Sequence, residues 1–96
     1  MSDYRLLING ELVPGDATMD VINPANERIL ATCPRASTAQ LNSAVAAAKA
    51  AFPAWSAKPI GERKQVVNAI ADIIQANANE LAQLLTQEQG KPLGDA

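Results

Sequence analysis

The sequence changes from β to helical patterning at residues 37–52, which read STAQLNSAVAAAKAAF. Ser37 and Gln40 form a capping-box pattern, in which each side chain satisfies a free backbone donor of the first helical turn. Apolar residues then recur at spacings of four, three and four, at Leu41, Val45, Ala48 and Phe52. This spacing places them on one side of a helix. A helix beginning near Ser37 is therefore predicted.

A β-hairpin is predicted at the start of the chain. Residues 4–8 and 11–13 flank Asn9-Gly10. This dipeptide favours a type I′ turn, because both central positions of that turn need positive φ. The hairpin should end at residues 14–16, Pro-Gly-Asp, which interrupt a strand.

A second hairpin is predicted from residues 19–22 and 28–33, joined by residues 23–27. Pro24 restricts Asn23 to extended conformations and cannot donate to a strand ladder. The turn should therefore begin at the Asn-Pro pair.

The first helix is expected to end or kink at Pro53, because proline lacks the N–H of a helix interior. Residues 54–58 are then a short connector that carries Trp55. Pro59 suits the first position of a second helix, where its missing N–H would have had no partner.

The region after Pro59 is predicted to contain two helices that meet at a bend. Asn77 can cap the later helix, with Glu80 at its third position. Gly90 should end that helix. Residues 92–96 then have the pattern of the opening of a further helix.

The composition indicates one small domain with few large core residues. At 96 residues, the chain would remove only roughly 60–65% of its unfolded surface from water. Much of its apolar content is alanine, and the aromatic residues are Tyr4, Phe52 and Trp55. We therefore expect the chain to depend on other polypeptide for burial.

The charge pattern argues against several classes of partner. The formal net charge is −2, and the eight basic residues are scattered along the chain. A basic stripe for nucleic acid or for an anionic membrane is absent from the sequence. It also lacks a signal-peptide pattern and an apolar run long enough to span a membrane. A single cysteine fits a reducing cytoplasm, which is the expected location.

The residue types exclude most catalytic chemistry within this sequence. The absence of histidine removes Cys–His and Ser–His pairs and imidazole acid–base catalysis. Cys33, the single thiol, is interpreted as a small buried strand residue rather than a nucleophile. Gly90-Lys91 does not end a phosphate-binding loop, because Leu85 and Pro92 occupy positions where that motif needs glycine and Ser or Thr.

Glu88 is in an unfavourable electrostatic position. It lies just before the predicted helix end at Gly90, where an acid opposes the negative end of the helix dipole. A cation or a basic side chain near Glu88 would resolve this conflict. The alternative interpretation is an ordinary surface acid.

Six segments, in the same order, resemble the start of the aldehyde dehydrogenase superfamily. They are residues 7–11, 21–25, 29–37, 46–55, 62–63 and 88–93, with the sequences LINGE, VINPA, ILATCPRAS, AAAKAAFPAW, ER and EQGKPL. Each segment is weak by itself, but the ordered set is specific and extends from about residue 7 to residue 96.

The resemblance implies an α/β fold, which is α+β within these residues. Residues 4–34 would form a β-hairpin region, and residues 37–96 would supply helices of an incomplete dinucleotide-binding domain. Family members attack the aldehyde with a cysteine thiolate, transfer a hydride to NAD or NADP, and hydrolyse the thioester. The residues for those steps lie downstream in the family, and Cys33 does not correspond to the catalytic cysteine. The resemblance therefore assigns no catalytic or cofactor-binding residue to this sequence and implies a homo-oligomeric enzyme acting on a small aldehyde.

The resemblance also implies a monovalent cation, Na+ or K+, in many family members. A main-chain carbonyl just before the Asn-Pro turn and an acid just before the Gly-Lys-Pro turn contribute to its binding. The corresponding positions are Ile22, with Val21 as a further candidate, and Glu88.

Two rival interpretations assign no catalysis to this sequence. It could be a non-catalytic hairpin-plus-helix module for interaction or oligomerisation, or a remnant without function. A reading frame that continues into a glycine-rich cofactor motif and a downstream cysteine would favour the enzyme. On all three interpretations, the 96 residues alone are expected to show no dehydrogenase activity.

Overall fold

The computed structural model describes residues 4–96. The chain forms two β-hairpins followed by three α-helices and a final 3₁₀ turn. In chain order the elements are β1 (Leu6–Ile8), β2 (Glu11–Val13), β3 (Ala17–Asn23), β4 (Arg28–Arg35), α1 (Thr38–Ala57), α2 (Ile60–Ala76), α3 (Ala78–Gln89) and the 3₁₀ turn Leu93–Asp95. The predicted order of two hairpins and three helices is confirmed.

The first hairpin joins β1 to β2 through Asn9 and Gly10. The strands are antiparallel, with Leu6 opposite Val13 and Ile8 opposite Glu11. Asn9 and Gly10 have φ values of 53° and 76°, and both are positive as a type I′ turn requires. The predicted turn is confirmed, although β1 begins at Leu6 rather than at residue 4.

The second hairpin is longer than the sequence predicted. β3 begins two residues before position 19, and β4 extends to Arg35, so that Thr18 faces Pro34. We predicted that the strand would end at Cys33. Proline is compatible with this strand because each strand of a two-stranded sheet has an unpaired edge, where a missing N–H leaves no partner unsatisfied.

Side chains stabilise the turn between β3 and β4. The Asn23 Oδ1 atom accepts a hydrogen bond from the backbone N–H of Ala25 at 2.9 Å, which is an Asx turn. The backbone N–H of Glu27 donates to the Asn23 carbonyl at 2.8 Å. Glu27 itself has a φ of 59°. The turn begins at Asn23-Pro24, as predicted.

The predicted capping box at the start of α1 is confirmed. The backbone N–H of Gln40 donates to the Ser37 Oγ atom at 3.1 Å, and the backbone N–H of Ser37 donates to the Gln40 Oε1 atom at 3.1 Å. Ser37 has extended backbone angles, so the helix begins at Thr38.

Helix α1 does not end at Pro53, and the predicted connector at residues 54–58 is wrong except for its last residue. The helix continues through Pro53 to Ala57. Proline removes only one backbone hydrogen bond there, and alanines at positions 54 and 57 favour continuation. The backbone N–H of Lys58 donates to the Trp55 carbonyl at 3.2 Å and closes the last turn.

Helix α2 begins one residue later than predicted. Pro59 has a ψ of 144° and is the N-terminal cap, while Ile60 is the first helical residue. The Pro59 carbonyl accepts from the backbone N–H groups of Glu62 and Arg63 at 3.0 and 3.2 Å. Proline suits this flanking position because it has no donor to leave unsatisfied.

The break between α2 and α3 lies at Asn77, as predicted, but Asn77 does not cap α3 through its side chain. Its φ and ψ are −108° and 16°, rather than the extended values of a typical cap. The Asn77 Nδ2 atom instead donates to the Ile73 carbonyl at 2.8 Å. The side chain therefore adds a second donor at the end of the preceding helix, where the backbone N–H of Asn77 also donates to the Ile73 carbonyl at 3.2 Å.

Helix α3 ends at Gly90, as predicted. Gly90 has a left-handed backbone with a φ of 80°, and its N–H donates to the Thr86 carbonyl at 2.9 Å. The turn that follows is 3₁₀, at Leu93–Asp95.

The helices pack on the strands mainly through α1 against β1 and α3 against β3. The principal extents are 49 × 34 × 18 Å, and none of the residues 4–96 is fully buried. The predicted apolar stripe of α1 is uncovered, with Phe52 65% exposed, and Ile73 of α2 is 63% exposed. Large apolar surfaces on both helices therefore face outward.

Among residues 4–96, no helix has the combined length and apolarity needed to cross a membrane.

Candidate functional site

The β3–β4 turn and the C-terminal end of α3 lie next to each other. A side-chain carbon placed on Gly90 would be 3.3 Å from the Cγ atom of Pro24. The packing of α3 on β3 produces this approach. The structure thus brings together the two segments that contain Ile22 and Glu88, although they are more than sixty positions apart in the sequence.

Ile22 lies beside an irregularity in the second hairpin. Val21 pairs with Ala31, but Ile22 pairs with Ile29, so Leu30 is an extra residue on β4. Such a β-bulge locally interrupts the ladder of backbone hydrogen bonds. The interruption falls at Val21 and Ile22, the two residues selected from the sequence for their main-chain carbonyls.

Glu88 is the penultimate residue of α3 and is exposed. The last turn of α3 contains no basic residue. The predicted conflict between this acid and the negative end of the helix dipole is therefore present without a neighbouring basic side chain on the same turn. Within residues 4–96, no group of three or more acidic or cysteine side chains could hold a metal ion. A cation near Glu88 would therefore need ligands other than a cluster of such side chains, for example main-chain oxygens.

Thr86 is a polar residue that the sequence interpretation missed. Its Oγ1 atom is buried and has no hydrogen-bond partner among residues 4–96. Thr86 lies four residues after Ala82, and both belong to the half-buried side of α3. The only signal for Thr86 in the sequence was a hydroxyl at helical spacing from small and apolar residues. This pattern is also typical of ordinary helix surfaces, so it did not single out Thr86. A buried hydroxyl without a partner has an oxygen that can accept a hydrogen bond or contact a cation.

Cys33 lies on β4 opposite Met19 and is half-buried rather than buried. It lines a cavity of about 250 Å³ together with Tyr4, Arg5, Pro14, Gly15, Thr18, Thr32 and Pro34. Among residues 4–96, this lining contains no carboxylate that could act as a general base, and the sequence contains no histidine. The described lining therefore offers no base that would activate a cysteine nucleophile.

Comparison with known protein families identifies the chain. The sequence model of the aldehyde dehydrogenase family matches residues 12–96. A probable aldehyde dehydrogenase from Pseudomonas sp is 44% identical over 95 residues, which are 99% of this chain and 20% of the relative. The methylmalonate-semialdehyde/malonate-semialdehyde dehydrogenase (acylating, mitochondrial) of Rattus norvegicus is 40% identical over 94 residues, covering 96% of this chain and 18% of the relative.

Solved structures agree with the sequence comparison. A putative aldehyde dehydrogenase from Burkholderia cenocepacia superposes with a TM-score of 0.90 at 39% identity, covering 96% of this chain and 19% of that protein. A point mutant of betaine aldehyde dehydrogenase from Staphylococcus aureus, in complex with NAD+, superposes with a TM-score of 0.89 at 35% identity, covering 95% and 19% of the two chains. The chain spans about one fifth of the length of the curated relatives that it matches. It belongs to the aldehyde dehydrogenase family.

Proposed function

We propose that this chain is the N-terminal part of an NAD(P)-dependent enzyme that oxidises an aldehyde to a carboxylic acid through a cysteine thiohemiacetal. The family match over residues 12–96 carries the proposal. The solved relative with NAD+ supports a nicotinamide cofactor, which accepts the hydride when bound. Which of NAD or NADP is used depends on polypeptide outside these residues.

The catalytic and cofactor-binding groups are proposed to lie outside this chain. The residues of the described chain, 4–96, place no base in the cavity of Cys33, and the sequence has neither histidine nor a phosphate-binding glycine loop. The chain's own contribution is structural: it supplies strands and helices on which the remaining polypeptide packs.

The exposed apolar faces support this structural role. Residues 4–34 are proposed to form a hairpin region, and residues 37–96 are proposed to be the first helices of a dinucleotide-binding domain. Val67 and Ile70 on α2, 57% and 53% exposed, are typical of residues that a sheet or another helix covers. The complete enzyme is proposed to be a homo-oligomer. The cytoplasm is its proposed location.

A monovalent cation, Na+ or K+, is proposed between Ile22 and Glu88. Three observations support the fit of this site: the bulge beside Ile22, the proximity of the Pro24 and Gly90 positions, and the acid at the end of α3, a helix with no basic residue in its last turn. Main-chain carbonyls and carboxylates are the hard oxygen ligands that such ions prefer. The ion would neutralise Glu88 and join the second hairpin to α3.

An activity assay tests the proposed function. The full natural chain is expected to reduce NAD+ or NADP+ in the presence of an aldehyde, measured by the absorbance of the reduced nicotinamide. The isolated 96 residues are expected to be inactive under the same conditions. Turnover by the isolated residues, or none by the full natural chain across a panel of aliphatic and aromatic aldehydes with both cofactors, would contradict the proposal. In the second case, the non-catalytic module would become the better interpretation.

The cation is tested separately by crystals of the full natural chain soaked in a rubidium or thallium salt. Anomalous scattering is expected between the Ile22 carbonyl and the Glu88 carboxylate. Crystals that scatter anomalously elsewhere but not at this position would refute the cation and leave the dehydrogenase proposal intact.

A further inference from the structure

The side chain of Gln40 connects helix α1 to the segment between the two hairpins. Its Nε2 atom donates a hydrogen bond to the Pro14 carbonyl at 3.0 Å. Its Oε1 atom accepts from the backbone N–H of Asp16 at 3.0 Å, and from Ser37 within the capping box at 3.1 Å. One amide group thus joins residues that are 24 and 26 positions away in the sequence.

The same segment is held from its other side by the end of β4. A side-chain carbon on Gly15 would lie 2.7 Å from both the backbone N and O atoms of Arg35, and 2.9 Å from the Ala17 carbonyl oxygen. Real side-chain carbons do not approach backbone so closely, so glycine is required here. Residues 14–16 are therefore fixed between Gln40 and the backbone of Arg35.

The first hairpin contacts a helix mainly through β1 and α1. Beside that contact, an open groove of about 700 Å³ lies between Ile8 and Val13 on one side and Ala46 and Ala47 of α1 on the other. Tyr4 and Arg5, which precede β1, make interactions of their own. The hydrogen bonds of Gln40 add a polar connection next to the apolar contact between β1 and α1.

We propose that Gln40 is a latch that holds the first hairpin, β1 and β2, against α1, and that the hairpin opens as one unit when the latch breaks. The capping box alone does not require glutamine, since glutamate fills the same position equally well in such motifs. Only an amide both accepts from Asp16 and donates to the Pro14 carbonyl, because an ionised carboxylate has no donor. The latch therefore explains why residue 40 is glutamine, whereas helix capping alone would allow glutamine or glutamate. The latch does not depend on which reaction the enzyme performs.

The substitution Gln40→Glu tests the latch independently of the capping box. The carboxylate can still accept from Ser37, but it cannot donate to Pro14. Hydrogen exchange in the full natural chain, at neutral pH, is expected to become about tenfold faster at Asp16 and across residues 6–13, the effect of losing the hydrogen bond from residue 40 to the Pro14 carbonyl. The amide of residue 40 at the start of α1 is expected to keep its protection, since Ser37 still caps it.

Gln65→Glu is the matched control, because it adds the same charge on an exposed helical position of α2. It is expected to leave the exchange of residues 6–16 unchanged. Equal exchange of the hairpin in Gln40→Glu and in the control would overturn the latch. So would faster exchange confined to the first turn of α1, which would mean that the substitution weakened only the cap.

A measurement on the unmodified protein keeps the proposal testable if Gln40→Glu fails to fold. In native-state exchange at increasing denaturant, Asp16 and the hairpin amides of residues 6–13 are expected to share one opening free energy, lower than that of the amides in the middle of α1. Asp16 opening together with the middle of α1, or independently of the hairpin, would overturn the proposal.

Discussion

Gly90 and Pro24 are in close contact, and the contact joins the end of α3 to the turn of the second hairpin. Gly90 has a φ of 80°, and a side-chain carbon at this position would lie 3.3 Å from the Pro24 Cγ atom. Two requirements therefore coincide at one residue: a left-handed backbone and the absence of a side chain. The contact aligns the two segments that carry Ile22 and Glu88.

The substitution Gly90→Ala is expected to destabilise the full natural chain by about 1–2 kcal/mol, because alanine is strained in the left-handed region and must also displace Pro24. The measurement is the denaturant midpoint compared with that of Gly94→Ala. Position 94 has an ordinary backbone and open space around it, so its substitution should change stability little. Equal midpoints for the two variants would contradict the proposed importance of the contact.

The substitution Glu88→Gln distinguishes a bound cation from an ordinary surface acid. Without a cation, removing the charge from the helix end should stabilise the protein by about 0.3–1 kcal/mol. With a cation, the same substitution should destabilise it and remove any difference between thermal midpoints in KCl and in tetramethylammonium chloride. We expect the second result. Exposed Glu80, at the favourable N-terminal end of α3, provides the control substitution Glu80→Gln, which should leave the salt difference intact.

The substitution Cys33→Ala is expected to leave kcat/KM of the full natural chain within about twofold of its original value, because none of the residues 4–96 that line its cavity is a carboxylate or another base that could activate a thiol. A modest loss of stability is expected from the smaller side chain on a half-buried strand position. Steady-state kinetics with one aldehyde provide the measurement. Loss of activity without loss of folded protein would assign Cys33 a chemical role that its surroundings do not explain.

The isolated 96 residues are expected to unfold without a sharp transition, because none of the residues 4–96 is fully buried. Circular dichroism at 222 nm during heating, together with light scattering to establish the mass, tests this expectation. A cooperative transition of a monomer would show that the exposed apolar faces of α1 and α2 need no further polypeptide to cover them.

Local signals predicted much of the secondary structure. Asn9-Gly10 specified its turn through the positive φ of two adjacent residues, and Ser37 with Gln40 specified the start of α1 within one helical turn. Gly90 specified the end of α3 in the same way. Each of these turns and helix ends depends on a few neighbouring residues, so the local sequence is sufficient to predict it.

The errors occurred where competing partners decide the outcome. Pro53 was expected to end or kink α1, but the cost of one lost hydrogen bond did not stop a helix rich in alanine. Asn77 could have capped the helix after it, but its side chain bonds to the carbonyl of Ile73 before it. At Pro53 and at Asn77 the sequence permits two arrangements, and a small difference in free energy between them decides which one forms.

The sequence by itself determined the order of the elements, the two hairpin turns and the family, and it named Ile22 and Glu88 as candidates for a cation site. Only the tertiary structure decided that the Pro24 turn touches the end of α3, that the amide of Gln40 reaches the Pro14 carbonyl, and that a hydroxyl at Thr86 is left without a partner. The physical reason is distance along the chain. A turn or a cap is stabilised by atoms a few residues apart, whereas these contacts exist only after α1 and α3 have packed on the strands.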